Sequence, residues 1–526
     1  MRVVNRFTVL ALSAGLAALP AAAQSFRVQC PDSTPLHPNG SAVDPAHPGV
    51  VKCQHIGGGD GFATMADGTQ IYLFAFSPLS GLKDIEAGLP GTQTAADFNV
   101  PYKGPNYSTV GGPVCSGGTS GANALQACAT IADCPDPTGT CGVVPTNLDA
   151  TPNNGAITEP AGIMDMGVLA GNAPAPMMAI DEDDEFFLTL SNPGMIMRPD
   201  LFEQHTVHFH GYPNASSYFD GVPDASIAIN IAGSFTYYYT APDAGTYFFH
   251  CHITPPEHLE MGMVGQLYVR PRQDRLAAGD DLRTALIAAN LKAARPDPSI
   301  NPDGFNGAVG CSDILCTGET PAPATSAVQA AGAKYAYNDG DGSTRYDVEY
   351  PIQMMGFDPN FHYVGMTFNP EAFADMKDKY FLLSGRGYPD TVTQGPISTV
   401  SADGISRPAQ PLPSLIVINK TAGQTRALLR LSDLSVTEHV TLGTIGVPMR
   451  VIAQNARLLR DMAGGDTTYL ANSITMGGGE SADVILDVSD PQYVPGQTFY
   501  LYSTNLDHLS NDAENFGGMM TEIRIN

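Results

Sequence analysis

From Pro176 to Val269 the chain repeats one pattern, in which short runs rich in aromatic and β-branched residues are each broken by turn-forming residues. The runs are Pro176 to Ser191, Thr206 to His210, Ile227 to Ile231, Ser234 to Thr240, Thr246 to His252 and Gly265 to Val269. This is the cadence of a β-sandwich. A second series begins at Tyr346 and includes Tyr380 to Ser384, Ser414 to Asn419, Thr425 to Leu431, Pro448 to Gln454, Ala482 to Asp487, Thr498 to Ser503 and Met519 to Ile525. Within it, Gly496 to Tyr502 (GQTFYLY) echoes Gly245 to Phe249 (GTYFF), which suggests a degenerate repeat of the first domain. With 55 Gly, 42 Pro and no Trp in 526 residues, the composition also favours short strands joined by turns, and the expectation is an all-β chain.

The same reading divides the chain. Residues 1–23 have the charged start, apolar run and small-residue end of a signal peptide, so the mature protein is expected to be periplasmic or secreted. Residues 24–272 form the first sandwich, with a Cys-rich insertion at about 82–172. Residues 273–343 form a linker whose first part, Arg275 to Ala294, has helical composition, and residues 344–526 form the second sandwich. No later stretch reaches the length needed to span a bilayer. A net charge of -27 repels polyanions, which sets nucleic-acid binding aside.

Eight of the nine cysteines lie in loop-like sequence. Cys30 with Cys53, Cys311 with Cys316 and two bridges among Cys115, Cys128, Cys134 and Cys141 are the economical pairing, although spacing alone leaves the connectivity open. Cys251 is left over, within an aromatic strand, and an odd thiol in an oxidising compartment calls for a reason such as a metal.

Two short segments hold six of the twelve histidines together with that cysteine: His205-Thr-Val-His208-Phe-His210-Gly211, and His250-Cys251-His252 followed by His258 and Met263. In a strand, successive side chains alternate between faces, so His208 and His210 share one face, as do His250 and His252, while His205 and Cys251 point the other way. Parity therefore sorts the side chains into two sets. Cys251, His205, His258 and Met263 form the soft thiolate, imidazole and thioether set that suits an electron-transfer copper, and His208, His210, His250 and His252 form an all-imidazole set suited to copper that meets oxygen species. Ordinary core histidines are the plainer reading of any one of these residues. Zinc is the other competitor, but a Met five residues beyond a His is an unusual zinc ligand.

HTVHFHG, DGVP (Asp220 to Pro223), SFTYYYTAPDAGTYFFHCH and the closing His258-x4-Met263 resemble the multicopper oxidase and copper nitrite reductase superfamily. The likeness continues more weakly through SGRGYPDT (Ser384 to Thr391), the strand region around Ile445 to Gln454 and FGGMMTEIRI (Phe516 to Ile525). The resemblance implies tandem cupredoxin-like Greek-key β-sandwich domains. It implies a type 1 copper on Cys251, His205, His258 and Met263, and half of a type 2/type 3 cluster on His208, His210, His250 and His252. It further implies electron flow from Cys251 to its flanking histidines, a small-molecule, metal-ion or redox-protein reductant, oxygen as acceptor and a homotrimer.

The chain also departs from that family. Six residues separate Cys251 from His258, a longer interval than usual, with Pro255-Pro256 expected to reshape the loop. A full trinuclear cluster in the family takes eight histidines, whereas the second domain offers His362, His439 and His508, and its counterpart of the HCH strand reads Ser503-Thr504-Asn505. The cluster is then incomplete, completed by His55 or by another chain, or a mononuclear type 2 centre. Nitrite reductase is the alternative activity, and His439 sits where that pattern places its active-site His. However, it places Asp where this chain has His208 and a residue other than His where this chain has His252. A blue copper carrier without a catalytic cluster is the third reading.

Asp220 is a candidate proton relay or imidazole orienter, against the plainer reading of an Asp-Gly turn. Methionines recur in pairs (Met164/Met166, Met177/Met178, Met195/Met197, Met261/Met263, Met354/Met355 and Met519/Met520) and could gather cuprous ions, although core filling is the commoner role. The acidic runs Asp181 to Glu185 and Asp339 to Asp341 could attract Mn(II) or Fe(II), with a solvated turn as the plainer account.

Overall fold

The computed structural model describes residues 26–44, 48–104, 152–212, 216–282, 329–367, 372–461 and 465–526, with a few positions between 114 and 142. The signal-peptide segment, most of the linker, and Cys128, Cys134, Cys311 and Cys316 lie outside the described residues.

The strand series predicted from sequence form two pairs of sheets. In the first pair, one sheet runs Gln70–Pro78, Val51–Thr64, Glu185–Gly194, Ser234–Thr240, and the other runs Met178–Asp181, Val264–Arg270, Gly245–His250, His208–Phe209. Ile56, Phe74, Phe76, Phe186, Leu188 and Tyr237 from the first sheet meet Met178, Ile180, Phe249 and Leu267 from the second in one apolar core. Burial of this alternating face is what closes the sandwich.

The second pair repeats the plan. Val348–Phe357 lies parallel to Arg426–Asp433, as Val51–Thr64 does to Glu185–Gly194, and Ile416–Ile418 lies parallel to the last strand, Met520–Ile525, as Met178–Asp181 does to Val264–Arg270. Parallel neighbours distant in sequence require crossovers between the sheets, the mark of Greek-key wiring. The repeat expected from GTYFF and GQTFYLY is therefore visible as topology: Gly245–His250 and Thr498–Ser503 occupy corresponding strands.

A third core joins the sandwiches, with Leu73, Ala75, Phe248 and Val264 packed against Met355, Phe357 and Leu382. Several sequence expectations change here. The described end of the linker is a packed element, in which Lys334–Tyr335 pairs with Arg345–Tyr346 and the buried Tyr337 hydroxyl donates to Asp483 at 2.5 Å. Of its helical stretch, residues 275–282 are described: Arg275 ends a 3-10 turn, Arg272–Arg275, and Leu282 is in α-helix. The end of the Cys-rich insertion is likewise integral, since Ile157, Ile163 and Met166 share a core with Phe26 and Leu79. Cys30 and Cys53 form the expected disulfide, and Cys115 and Cys141 are register partners in a strand pair.

The acidic run is not a solvated turn. Glu182 is buried and accepts the Ala244 and Arg272 N–H groups, and Asp184 is buried and accepts those of Val50 and Asp181. Asp339, also buried, accepts from the Gly342 and Thr344 N–H groups and so closes its own turn. Among the paired methionines, Met166, Met177, Met178, Met195, Met261, Met263, Met354, Met355 and Met519 are buried, which is the core-filling role.

Candidate metal centre

Two strand ends bring the histidine segments together. His208 and His250 are register partners, as are Phe209 and Phe249, so the HxH and HCH segments lie side by side. His205 precedes its strand and is held by reciprocal backbone hydrogen bonds with Ile229 at 3.1 and 3.0 Å. The next chain segment reverses at Thr254, and Pro255-Pro256 start a one-and-a-half-turn helix, Pro255–Glu260, that presents His258. Proline suits a first helical position because its fixed φ is already helical and it has no N–H to satisfy.

Among the described residues, two groups of three metal-ligating side chains have donor atoms within 4.8 Å of one another: His205, Cys251 and His258, and His208, His210 and His250. These are the sets that strand parity separated.

In the first group Cys251 is fully buried, and its Sγ lies 3.2 Å from His258 Nδ1 and 3.9 Å from His205 Nδ1. The Thr206 N–H also donates to the sulfur at 3.4 Å. Burial pushes the thiol up, but the two imidazoles override it and hold Cys251 well below the usual thiol range, as a thiolate. Met263 is buried, and its carbonyl accepts the Cys251 N–H at 3.1 Å. Glu203, which sequence reasoning missed, places Oε2 3.6 Å from His258 Nε2. Its position two residues before His205 carries no signal of that role, because the contact is made by the folding of a different segment.

In the second group each ring has its Nδ1 turned to the backbone. His208 Nδ1 donates to the Asp220 carbonyl at 2.7 Å, His250 Nδ1 donates to the Cys251 carbonyl at 2.6 Å, and His210 Nδ1 lies against Gly479 of the second sandwich, whose backbone hydrogen-bonds the ring. Burial lowers His210 to about 4 and His250 well below its usual value, so these rings are neutral. With Nδ1 protonated, Nε2 carries a lone pair. The Nε2 atoms of His210 and His250 are 2.9 Å apart, an arrangement that two lone pairs tolerate when a cation lies between them. Neutral imidazoles oriented through their other nitrogen are the donor set copper takes, and the thiolate with two imidazoles is the softer set of a blue copper site.

The remaining candidates fall out differently. The His252 ring stands 5.1 Å from His208 and 5.3 Å from His250, beside the group of three but outside its 4.8 Å limit. Asp220 meets His208 twice, through its carbonyl and through Oδ2 at 3.5 Å. His439 is exposed next to Gly477, two residues from Gly479. His55 completes neither group: it is buried, bonds Ser191 Oγ at 2.7 Å and is lowered by burial to about 3. His362 bonds the Tyr72 carbonyl through Nδ1 while its buried Nε2 makes no hydrogen bond, and His508 stacks on Phe381 with Nε2 2.8 Å from Glu438, so both are buried core histidines apart from the cluster. In the second sandwich the pair equivalent to His208 and His250 is Leu442 and Ser503, which leaves that copy without imidazole donors.

A multicopper oxidase family model matches residues 155–274. The curated relatives include a multicopper oxidase named MCE from Talaromyces pinophilus, 33% identical over 112 residues, covering 21% of this chain and 17% of that protein. Laccase-1 of Emericella nidulans is 32% identical over 132 residues, covering 24% and 19%. The matched stretch thus spans under a fifth of the length of these relatives. Among solved structures, a blue copper oxidase from Nitrosomonas europaea aligns over 90% of this chain and 85% of its own at 15% identity, with a TM-score of 0.46. The stretch matched by the multicopper oxidase family model, residues 155–274, contains every member of both ligand groups.

Proposed function

We propose that the protein is a copper-dependent oxidoreductase that takes single electrons from a reductant at the Cys251 site and passes them to oxygen at the histidine cluster. One observation carries the reading: Cys251 links the two groups, its Sγ facing His205 and His258 while its carbonyl holds His250 of the other. Cys251, His205, His258 and Met263 would hold a type 1 copper and His208, His210, His250 and His252 a type 2 or type 3 copper, which would supply one-electron chemistry because both of its common oxidation states suit these donors.

The chain's own residues set the conditions. Cys251, His205 and His258 are each fully buried, which excludes water from the thiolate. Asp220, with its side chain about one-third exposed, holds His208 through its carbonyl and Oδ2 and is the carboxylate positioned to relay protons there, and His439 is an exposed imidazole on the other sandwich. His252 joins the cluster by a small ring movement. The reductant is a small molecule, a metal ion or a redox protein.

The test is copper per chain, visible and paramagnetic resonance spectra, and oxygen uptake with an artificial reductant. More than one copper, a blue band and oxygen consumption are expected, with Asp220→Asn about 10- to 100-fold slower. Full turnover of that variant at every pH removes Asp220 from the mechanism. A blue band with reversible redox and no oxygen uptake reduces the protein to an electron carrier, and nitric oxide from nitrite makes it a reductase.

The same reading places the protein outside the cytoplasm, on the Met1 to Ala23 pattern and the Cys30–Cys53 disulfide, and as a homotrimer. An intact Met1 in the exported protein overturns the first, and a monomeric mass by light scattering overturns the second. Among the described residues no helix is long and apolar enough to cross a membrane.

A further inference from the structure

The loop that carries His258 is fastened to the second sandwich. Within the loop, backbone hydrogen bonds chain the candidate ligands together: the His258 carbonyl accepts the Met263 N–H at 2.8 Å, and the Met263 carbonyl accepts the Cys251 N–H at 3.1 Å. At the end of helix Pro255–Glu260, Glu260 is 1% exposed. Its Oε1 accepts the backbone N–H of Asp358, 98 residues on, at 2.6 Å, and stands 3.9 Å from His362 Nε2, while Oε2 makes no hydrogen bond among the described residues. Burying a carboxyl group is costly unless hydrogen bonds compensate, and the one Glu260 makes crosses between the sandwiches.

Asp358 is itself fixed. It is the N-cap of helix Pro359–Gly365, with Oδ1 accepting the Asn360 N–H at 2.8 Å and the Phe361 N–H at 3.3 Å, and Oδ2 accepting the Lys377 N–H at 2.8 Å. The rest of that helix is tied to the first sandwich as well: His362 Nδ1 donates to the Tyr72 carbonyl, and the Gly365 carbonyl accepts from Arg198. A Cβ placed on Gly365 would lie 3.0 Å from Cε and 3.1 Å from Sδ of buried Met261, so the helix also bears on a residue between His258 and Met263. We infer that Glu260 is a positioning residue for the Cys251 site, its carboxyl group locking the loop from His258 to Met263 onto helix Pro359–Gly365 of the second sandwich. His258 is then aimed at Cys251 Sγ by the hydrogen bonds inside its loop and by a brace from the other sandwich, and groups that orient a ligand from behind strengthen metal binding. The effect on the metal rests on the proposed copper function, whereas the brace does not.

The experiment uses full-length protein and three variants. Glu260→Leu removes the acceptor, and Glu260→Gln keeps a side-chain oxygen for the Asp358 N–H. Gly365→Ala leaves Glu260 alone but crowds Met261 from the second sandwich, at a helical position that alanine suits. In copper-free protein, hydrogen exchange of peptides covering Asp358 and helix Pro255–Glu260 is expected to speed up in Glu260→Leu and to stay at the wild-type rate in Glu260→Gln. On copper loading, Glu260→Leu is expected to shift the blue band and the copper hyperfine splitting and to weaken copper at the Cys251 set about 10- to 100-fold, with copper at the histidine cluster unchanged. Glu260→Gln should keep the wild-type signals, and Gly365→Ala should shift the band and the splitting, because Met261 must give way. Wild-type exchange, band and affinity in Glu260→Leu overturn the inference, as does Glu260→Gln that behaves like Glu260→Leu. If Glu260→Leu does not fold, Gly365→Ala with wild-type signals overturns it. A wild type without a blue band defeats the proposed function instead and leaves the exchange rates to decide this one.

Discussion

Cys251→Ser is expected to abolish the blue absorption completely and to reduce oxygen uptake to that of the copper-free protein, while copper at His208, His210 and His250 stays bound. The thiolate is the soft donor of its group, and a serine hydroxyl in the same dry position stays protonated at neutral pH. His205 and His258 then face a neutral oxygen in place of a charge. Loss of the thiolate breaks the route at its first step but leaves the Nδ1 bonds that orient His208, His210 and His250 in place, since His250 relies on the Cys251 backbone carbonyl rather than its side chain. Visible absorption and copper per chain, measured on one preparation, check this. A blue band that survives the substitution would sink it, because Cys251 is the free cysteine among the described residues.

Arg430→Met is expected to destabilise the protein by about 3–5 kcal/mol. The Arg430 side chain is fully buried, with Nε 3.0 Å from Glu349 Oε2 and Nη1 3.8 Å from Asp483 Oδ1, and its guanidinium lies 4.8 Å over the Tyr268 ring of the first sandwich. Removing it leaves buried Asp483 without its cation and Glu349 with Arg270 alone. Burial pushes Glu349 up from its ordinary 4.5, but Arg430 and Arg270 override this and bring it to about 2. A folded-state value below the unfolded one contributes stability that is complete above about pH 4.5 and is lost as pH falls toward about 2. Without Arg430 that acid-side loss should begin at higher pH. Urea unfolding across this range measures both effects, and an unchanged midpoint at neutral pH would show that the network contributes nothing net. Arg430→Met combined with Asp483→Asn should recover part of the loss, since Glu349 keeps Arg270 as its partner and no buried carboxylate is then left without one.

Much of the centre was legible from residue order. The parity of His205 against His208 and His210, and of Cys251 against its neighbours, follows from strand geometry, and the two groups of three gathered among the described residues divide the same way, without His252. The repeat suggested by GTYFF and GQTFYLY is present in the strand pairing, and Ser503 does stand where His250 stands in the first copy. The acidic run Asp181 to Glu185 was misjudged for an identifiable reason. Composition marks it as solvated, but Glu182 and Asp184 are enclosed by backbone N–H groups and arginine from Val50, Ala244 and Arg272, none of which is near in sequence.

The alternation of side chains and the turn residues between runs are local covalent properties, so the all-β plan and the division of the two histidine-rich segments into two faces can be written down from order alone, whereas the exclusion of His55 could not. Which nitrogen of His208 and His250 is turned to the backbone, why Glu203 approaches His258, and that Gly479 of the second sandwich lies against His210 are decided by how the chain folds around the cluster. Such contacts depend on how two sandwiches pack, a collective outcome of burying the core shared by Phe248 and Phe357, and no spacing of residues within either segment encodes it.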